Sequence, residues 1–510
     1  MSLDAHAMLS VPARKAGSRQ WWGLAVLALP CLLYSMDLTV LNLAIPQLTA
    51  DLDPTAVQQL WIVDIYGFML AGALITMGAL GDRIGRRRLL LIGATAFGVA
   101  SVLAAFAPTA ELLIAARALL GLAAATLAPS TLSLIRTMFE DERQRSFAIG
   151  VWIASFSVGA AIGPLVGGLL LEVFWWGSVF LISVPVMVLL LIVGPFILPE
   201  HREGGGARID LVSAAISLAA MLSLVYGIKH AAAAGLDALA AGAIIAGLAL
   251  GAVFVRRQAR LKNPMINLAL FRTPRFSVSL IVNLASFFVA FGTFLFLAQY
   301  LQLVVGLSPF EAGVWTLISA AGFIGGSFAA PALLSKFQSA TIMAASLVIA
   351  AAGFAVLVLA LNSGSFSMLM TGCFIFSVGL AHVFTLSTDT IVGAAPEEMA
   401  GSAAALAETS SELGGALGIA VLGSIVVGSY RETVAQALPG GLAADLAAAL
   451  RDSIGAGADA LSAIDSAVAA PLREIVTSAY SGAFAEVMMI SIAVSLITAL
   501  VALTLRRRSA

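Results

Sequence analysis

Long apolar runs alternate with short polar segments from residue 21 to the end of the chain. A helix needs about 20 mainly apolar residues to cross the roughly 30 Å of bilayer hydrocarbon. Runs of that kind start near Trp21, Gln58, Leu89, Leu112, Ser146, Gly177, Asp210, Leu236, Phe276, Phe310, Thr341, Phe366, Gly401 and Gly482. The pattern predicts an all-α integral membrane protein of fourteen transmembrane helices, with the seventh and eighth the least marked. Between the last two runs, residues 429–480 are rich in alanine, and Leu442, Leu446 and Leu450 fall at helical spacing. That stretch predicts a partly helical external loop.

Charge gives the orientation. If the N-terminus is inside, every basic residue except Arg117, Lys229, Arg431, Arg451 and Arg473 lies in the tail, in an inner loop or at the C-terminus. That bias places both termini in the cytoplasm and calls for an even number of spans. Residues 1–20 then form a cytoplasmic tail rather than a cleaved leader, because no short apolar core with a small-residue cleavage site is evident. A faint internal repeat relates Gly78–Arg88, before the third span, to Pro331–Thr341, before the eleventh. It divides the chain into a six-helix half over residues 21–200, two additional helices over 201–262, and another six-helix half over 263–510.

Composition excludes several classes. Apolar residues make up 60% of the 510 and charged residues 11%, against roughly 45–50% and 25% in soluble domains. A net charge of −1 offers no basic surface for nucleic acid. Cys31 and Cys373 both lie in apolar runs and are expected to pack as small hydrophobes. Of the four histidines only His382 is within a span, so no metal site is expected. No lysine follows a glycine, which removes the Gly-Lys-Ser/Thr of a phosphate-binding loop. Energy must then come from a gradient and not from ATP hydrolysed on this chain, and no cofactor is expected.

Chemistry concentrates in a few places. Span one carries Asp37-Leu-Thr39-Val-Leu-Asn42-Leu-Ala44-Ile-Pro46, and span two carries Asp64 with Trp61 and Phe68 on the same face. A carboxylate at the bilayer centre costs about 2.5–3.5 kcal/mol on insertion scales, so it is expected to face a cavity. Arg117 in span four needs a carboxylate partner, and structural pairing and proton gating weigh equally for it. Glu408 and Glu412 in span thirteen are one turn apart on one face. Two carboxylates facing one cavity do not both ionise easily, so the pair can hold either protons or a cation. Asp389, near the inner end of span twelve, reads as a solvated or gating charge. Span ten has no interior carboxylate, which favours monovalent over divalent cations. Trp61, Tyr66, Phe68, Trp152, Phe156, Phe291 and Phe296 are candidates for a cation pocket, with simple packing the alternative. Trp61, Phe68, Trp152 and Phe291 are the favoured set.

Two glycine patterns complete the reading. Gly78-Ala-Leu-Gly-Asp82-Arg83-Ile-Gly85-Arg86-Arg87-Arg88 joins spans two and three, with Asp82 expected at the start of the third helix, where the helix dipole favours an acid. Gly159-Ala-Ala-Ile-Gly163-Pro164-Leu-Val-Gly167-Gly168 puts small residues along one face of span five, as close helix packing requires. The Gly78–Arg88 pattern resembles the signature of the major facilitator superfamily between its second and third helices. The Gly159–Gly168 pattern is similar to the antiporter motif of that superfamily's drug exporters, and the Asp37 segment resembles the first-helix motif of its fourteen-span drug:proton antiporters. This resemblance implies the major facilitator fold, two six-helix halves plus two central helices. It implies that Gly78, Asp82, Arg83, Gly85 and Arg86 latch the cytoplasmic side, and that Arg117 is tied to proton movement. The expected function is proton-driven efflux of lipophilic cations, such as quaternary ammonium compounds and dyes, by a monomer in the inner membrane. Export of an endogenous metabolite or lipid, or a non-transporting sensor, are the rivals. An enzyme is not expected, since no Ser/His pair, histidine cluster or metal spacing is present.

Overall fold

The computed structural model describes residues 15–54, 56–200, 210–261, 264–307, 309–334, 336–396, 399–439, 442–452 and 454–505. The first half is built from α1 (Ser18–Leu52), α2 (Ala56–Ile84), α3 (Arg86–Ala105), α4 (Ala110–Met138), α5 (Glu142–Val173), and a sixth span in two pieces, α6 (Ser178–Leu181) and α7 (Ser183–Ile197). A hairpin of α8 (Leu211–Ala234) and α9 (Ala238–Gln258) follows. The second half comprises α10 (Pro274–Gln299), α11 (Pro309–Leu334), α12 (Ser339–Ser363), α13 (Phe366–Ala394), α14 (Ala400–Ala437) and α17 (Ser466–Leu503), with the short α15 (Ala444–Asp452) and α16 (Ile454–Ser462) before the last. No strand occurs among the described residues.

Helix starts follow from local chemistry. Thr109, Asp141, Asp237 and Ser365 each accept a backbone N–H from the first turn of α4, α5, α9 and α13, satisfying donors that the helix itself cannot. Gly364, in the left-handed region at φ 67°, ends α12. Among the described residues, eleven helices are long and apolar enough to cross a bilayer. Helices α1, α5 and α8 occupy the remaining positions, an arrangement consistent with fourteen spans. Of residues 429–480, those up to Ala437 continue α14 and those from Ser466 begin α17. Leu450 is fully buried, and Leu442 and Leu446 pack against the same core.

Within the first half, α1 packs on α5, α2 on α4, and α3 on α4 and α7. Within the second, α10 packs on α14 and α13, and α12 on α13 and α17. The halves meet along α2 with α14 and α5 with α11, while α8 lies against α2. This leaves the inner faces of α1, α2, α4, α5 and α14 to build the centre of the molecule.

Candidate functional site

At the centre, the Arg117 Nη1 of α4 lies 2.6 Å from the Asp37 carboxylate of α1, with the arginine 1% and the aspartate 14% exposed. Arg117 Nε also donates to the Ile62 carbonyl at 3.0 Å, and its guanidinium lies 4.8 Å from the Tyr66 ring centroid. Lacking water, a buried guanidinium has to find its acceptors within the protein, and a carboxylate, carbonyls and an aromatic face supply them. Structural pairing of Arg117 is therefore realised, and with Asp37. Asp64 belongs to α2, but its side chain lies outside the described residues.

Glu408 and Glu412 come from α14 in the opposite half. The Tyr34 hydroxyl of α1 donates to Glu412 Oε1 at 2.7 Å, crossing the interface between the halves. Tyr34 stands edge-on to Phe156, with centroids 5.5 Å apart, and 6.2 Å from Tyr66. Phe156 in turn meets Trp152 at 4.8 Å, and the Trp152 indole N–H donates to Thr131 Oγ1 at 3.0 Å. Glu408 is partly buried and makes no hydrogen bond or ion pair among the described residues. The Tyr66 hydroxyl is buried without a hydrogen-bond partner among them. The carboxylates of the two halves are thus linked by a file of side chains, Glu412, Tyr34, Tyr66, Arg117 and Asp37, with two aromatic rings and a guanidinium between the acids.

The four favoured aromatics do not form one pocket. Trp152 joins the central group. Trp61 and Phe68 pair with each other at 6.0 Å, and Phe68 packs with Ala71, Val225 and Met221 against α8, because they lie on the outer flank of α2. Phe291 of α10 lies against Gly415, three residues beyond Glu412, and is 45% exposed. Tyr34 escaped the sequence reading. It stands one turn before Asp37, but nothing in the chain shows that α14 comes to meet it.

The glycine face of α5 is a packing surface for α1. A Cβ at Gly159 would fall 2.2 Å from the Leu32 carbonyl oxygen, and one at Gly167 2.8 Å from Val40. Leu32 and Val40 bracket Asp37, so the close approach fixes the position of that carboxylate. Gly163 is buried in the same face, Gly168 faces open space, and the Pro164 side chain lies outside the described residues.

A further constellation stands at the arginine-rich end. Asp82 does not open α3. Helix α2 continues through Ile84 and breaks at Gly85, whose φ of 105° suits glycine, so Asp82 closes α2. Its carboxylate reaches across to the start of α14, accepting the Gly401 and Ser402 backbone N–H groups at 2.9 Å each and the Ser402 hydroxyl at 2.8 Å. The dipole that favours this acid is that of α14. Arg86 Nε lies 3.2 Å from Asp82, and Arg86 Nη1 donates to Thr137 at 3.1 Å. Gly78 brings α2 into contact with α14, since its Cβ would fall 2.4 Å from that of Ala405. Arg83 lies half-buried in the same turn as Asp82. Asp389 of α13 is not solvated. It is 7% exposed and takes Arg145 Nε at 2.7 Å and the Ser146 hydroxyl, both from α5. Arg136 of α4 donates to the Val392 carbonyl beside it. Two latches, α2 with α14 and α5 with α13, therefore hold the halves together at one end.

Among the described residues no group of three or more His, Cys, Asp and Glu could hold a metal ion. The sequence pattern of the Major Facilitator Superfamily matches residues 27–419. The multidrug efflux pump LfrA of Mycolicibacterium smegmatis is 43% identical over 474 residues, covering 93% of this chain and 94% of its own. The methyl viologen resistance protein SmvA of Salmonella typhimurium is 37% identical over 445 residues, 86% of this chain and 88% of its own. The human organic anion transporter MFSD10 (TETRAN) shares the fold, with a TM-score of 0.59 at 15% identity over 92% of this chain and 98% of its own. A multi-pass membrane transporter of this build, matched along its length by drug efflux pumps, belongs to the major facilitator superfamily and to its drug:proton antiporter family.

Proposed function

We propose that the protein exports lipophilic cations across the bacterial inner membrane in exchange for protons, as a monomer with both termini in the cytoplasm. The observation that carries this reading is the meeting of Glu412, one turn along α14 from Glu408, with the Tyr34, Tyr66, Arg117 and Asp37 group at the interface of the halves. A carboxylate there is neutralised either by a proton or by an organic cation, and in both cases the loaded site has lost its charge and can cross as the halves rock. Trp152, Phe156 and Tyr34 supply the apolar and π surface that a lipophilic cation needs. LfrA and SmvA, by their names, handle drugs and methyl viologen, an organic dication. That supports the cation class and makes a dication a necessary additional test substrate.

In the outward-facing state Asp37 and the Asp64, Glu408 and Glu412 group take up protons. In the inward-facing state they release them to the cytoplasm, and a cation entering from the cytoplasm or inner leaflet takes their place. Exchange of one proton for one monovalent cation moves no net charge, so the pH gradient alone drives it. A second proton adds about 2.3 kcal/mol per 100 mV of membrane potential. The test is proton movement in inverted vesicles energised with a pH gradient on addition of ethidium, a quaternary ammonium compound or methyl viologen. Substrate-evoked proton release that is lost in Asp37→Asn and Glu408→Gln is expected. No release with any of the three would overturn the cation reading and leave export of a metabolite or lipid.

A further inference from the structure

The two helices between the halves are wired into the gate. The α8–α9 hairpin docks on α2 through Thr76 and Ser217, whose hydroxyls are 3.3 Å apart, and through Gly72 against Leu218 and Leu222. At its arginine-rich end, Asp210 caps α8 and receives Arg257 of α9 through Nε and Nη2 at 2.9–3.1 Å. One residue further on, Gln258 is 2% exposed. Its Nε2 donates to Ser213 of α8 at 2.9 Å, and its Oε1 accepts the Met265 backbone N–H at 2.7 Å, in the connector leading to α10. A buried glutamine satisfied at both ends of its amide is a fixed strut.

Met265 is seated on the other half. Its carbonyl lies 3.3 Å from the Ser402 hydroxyl, which directs its single proton chiefly to Asp82 at 2.8 Å. Met265, Ile266 and Leu270 also share one buried cluster with Phe276, Ile391, Ala403 and Leu406 of the second half, and with Ala79 of α2. A continuous path therefore runs from α2 through α8, Ser213, Gln258 and Met265 to the first turn of α14. It spans the same two helices as the Asp82 latch.

We infer that the α8–α9 hairpin is a tether across the cytoplasmic gate, with Gln258 the positioning residue that joins its α2-docked body to the α14-docked connector and so favours the closed state. Opening separates α2 from α14, and the strut or the docking must then give way. The inference rests on the exporter reading only in needing the two halves to alternate. The cargo and the proton play no part in it.

The test uses the full-length protein in nanodiscs, spin-labelled at the exposed Arg88 and Gln338 positions, one in each half. Distance distributions are read by double electron–electron resonance at fixed pH with no cargo, in the native background and in Asp82→Asn, where the weakened latch is expected to leave both states populated. Gln258→Met keeps the volume and removes the strut, and Ser213→Ala cuts the same link at its hairpin end. Loss of one such hydrogen bond predicts a rise of about threefold to tenfold in the ratio of open to closed populations for Gln258→Met. A smaller rise in the same direction is expected for Ser213→Ala, which also serves if Gln258→Met does not fold. Unchanged populations in both backgrounds, or a shift towards the closed state, overturn the tether. So does a lowered melting temperature with unchanged distances, which assigns Gln258 to the hairpin's own stability. Failure here leaves the vesicle result standing, and failure in vesicles leaves these distances interpretable.

Discussion

Residue by residue, the centre is a problem of placing charge where water cannot help. Arg117 and Asp37 solve it by pairing, so removing either one alone leaves the other buried and uncompensated. Breaking such a pair costs about 3–5 kcal/mol. Arg117→Leu should therefore lower the melting temperature in detergent sharply, and Arg117→Leu combined with Asp37→Asn should recover most of the loss. A double variant as unstable as Arg117→Leu would mean that the carbonyl and ring contacts of Arg117, rather than its ion pair, hold α1, α2 and α4 together. Tyr34 poses a different question, because its hydroxyl donates to Glu412 from the other half. A hydrogen bond to a charged group is worth about 1.5–3 kcal/mol. Tyr34→Phe keeps the ring and deletes this bond between the halves, so maximal ethidium efflux should fall by about tenfold. Efflux unchanged in Tyr34→Phe would reduce Tyr34 to a packing role. The two cases differ in how much the chain discloses. Charges inside apolar runs are so few that Asp37, Arg117, Glu408 and Glu412 stand out in the sequence. Tyr34 is one aromatic among many until α14 is seen beside it.

Among the elements, the glycine stripe on α5 was legible as close packing, since small residues on one helix face have few other uses in a membrane. Its partner was not legible, because any of several helices could have filled that role. With α1 now identified, the stripe predicts a contrast within one motif. Gly159→Val forces a side chain into the Leu32 carbonyl, and overpacking of this kind costs about 1–3 kcal/mol or a backbone shift. The shift is passed to Asp37, so ethidium efflux should fall strongly. Gly168→Ala meets open space and should leave efflux near its original level. Equal losses in both variants would show that the motif acts through helix flexibility and not through contact with α1. Asp82 teaches the complementary lesson. The Gly-Asp-Arg-x-Gly spacing announced a turn and an acid seeking a helix dipole. It could not reveal that α2 runs on to Ile84, or that the helix N-terminus this acid reaches belongs to α14, some 320 residues along the chain.

Across the whole molecule, the recurrence of apolar runs and the gathering of arginine in alternate loops were enough to anticipate a helical membrane bundle in two halves with a hairpin between them. Both features follow from the bilayer, which acts on every span alike. How the halves are held together follows from pairwise contacts, which no periodic pattern encodes. Two such contacts lie at the arginine-rich end, Asp82 on the start of α14 and Asp389 with Arg145 and Ser146 of α5. They join different helix pairs but oppose the same opening motion. If that motion is a single two-state change, each latch contributes its own free energy to one equilibrium and their losses add. Asp82→Asn and Asp389→Asn should then each raise the open population, and the double variant should raise it by roughly the product of the two ratios. Hydrogen exchange at the first turns of α14 reads this directly, because the Gly401 and Ser402 amides lose their acceptor when the gate opens. In Asp389→Asn these amides keep their Asp82 partner, so faster exchange there reports opening of the whole end and not loss of a local bond. Exchange that quickens at α14 only in variants of Asp82 would show that the two latches open separately, and that the halves do not move as rigid bodies at this end.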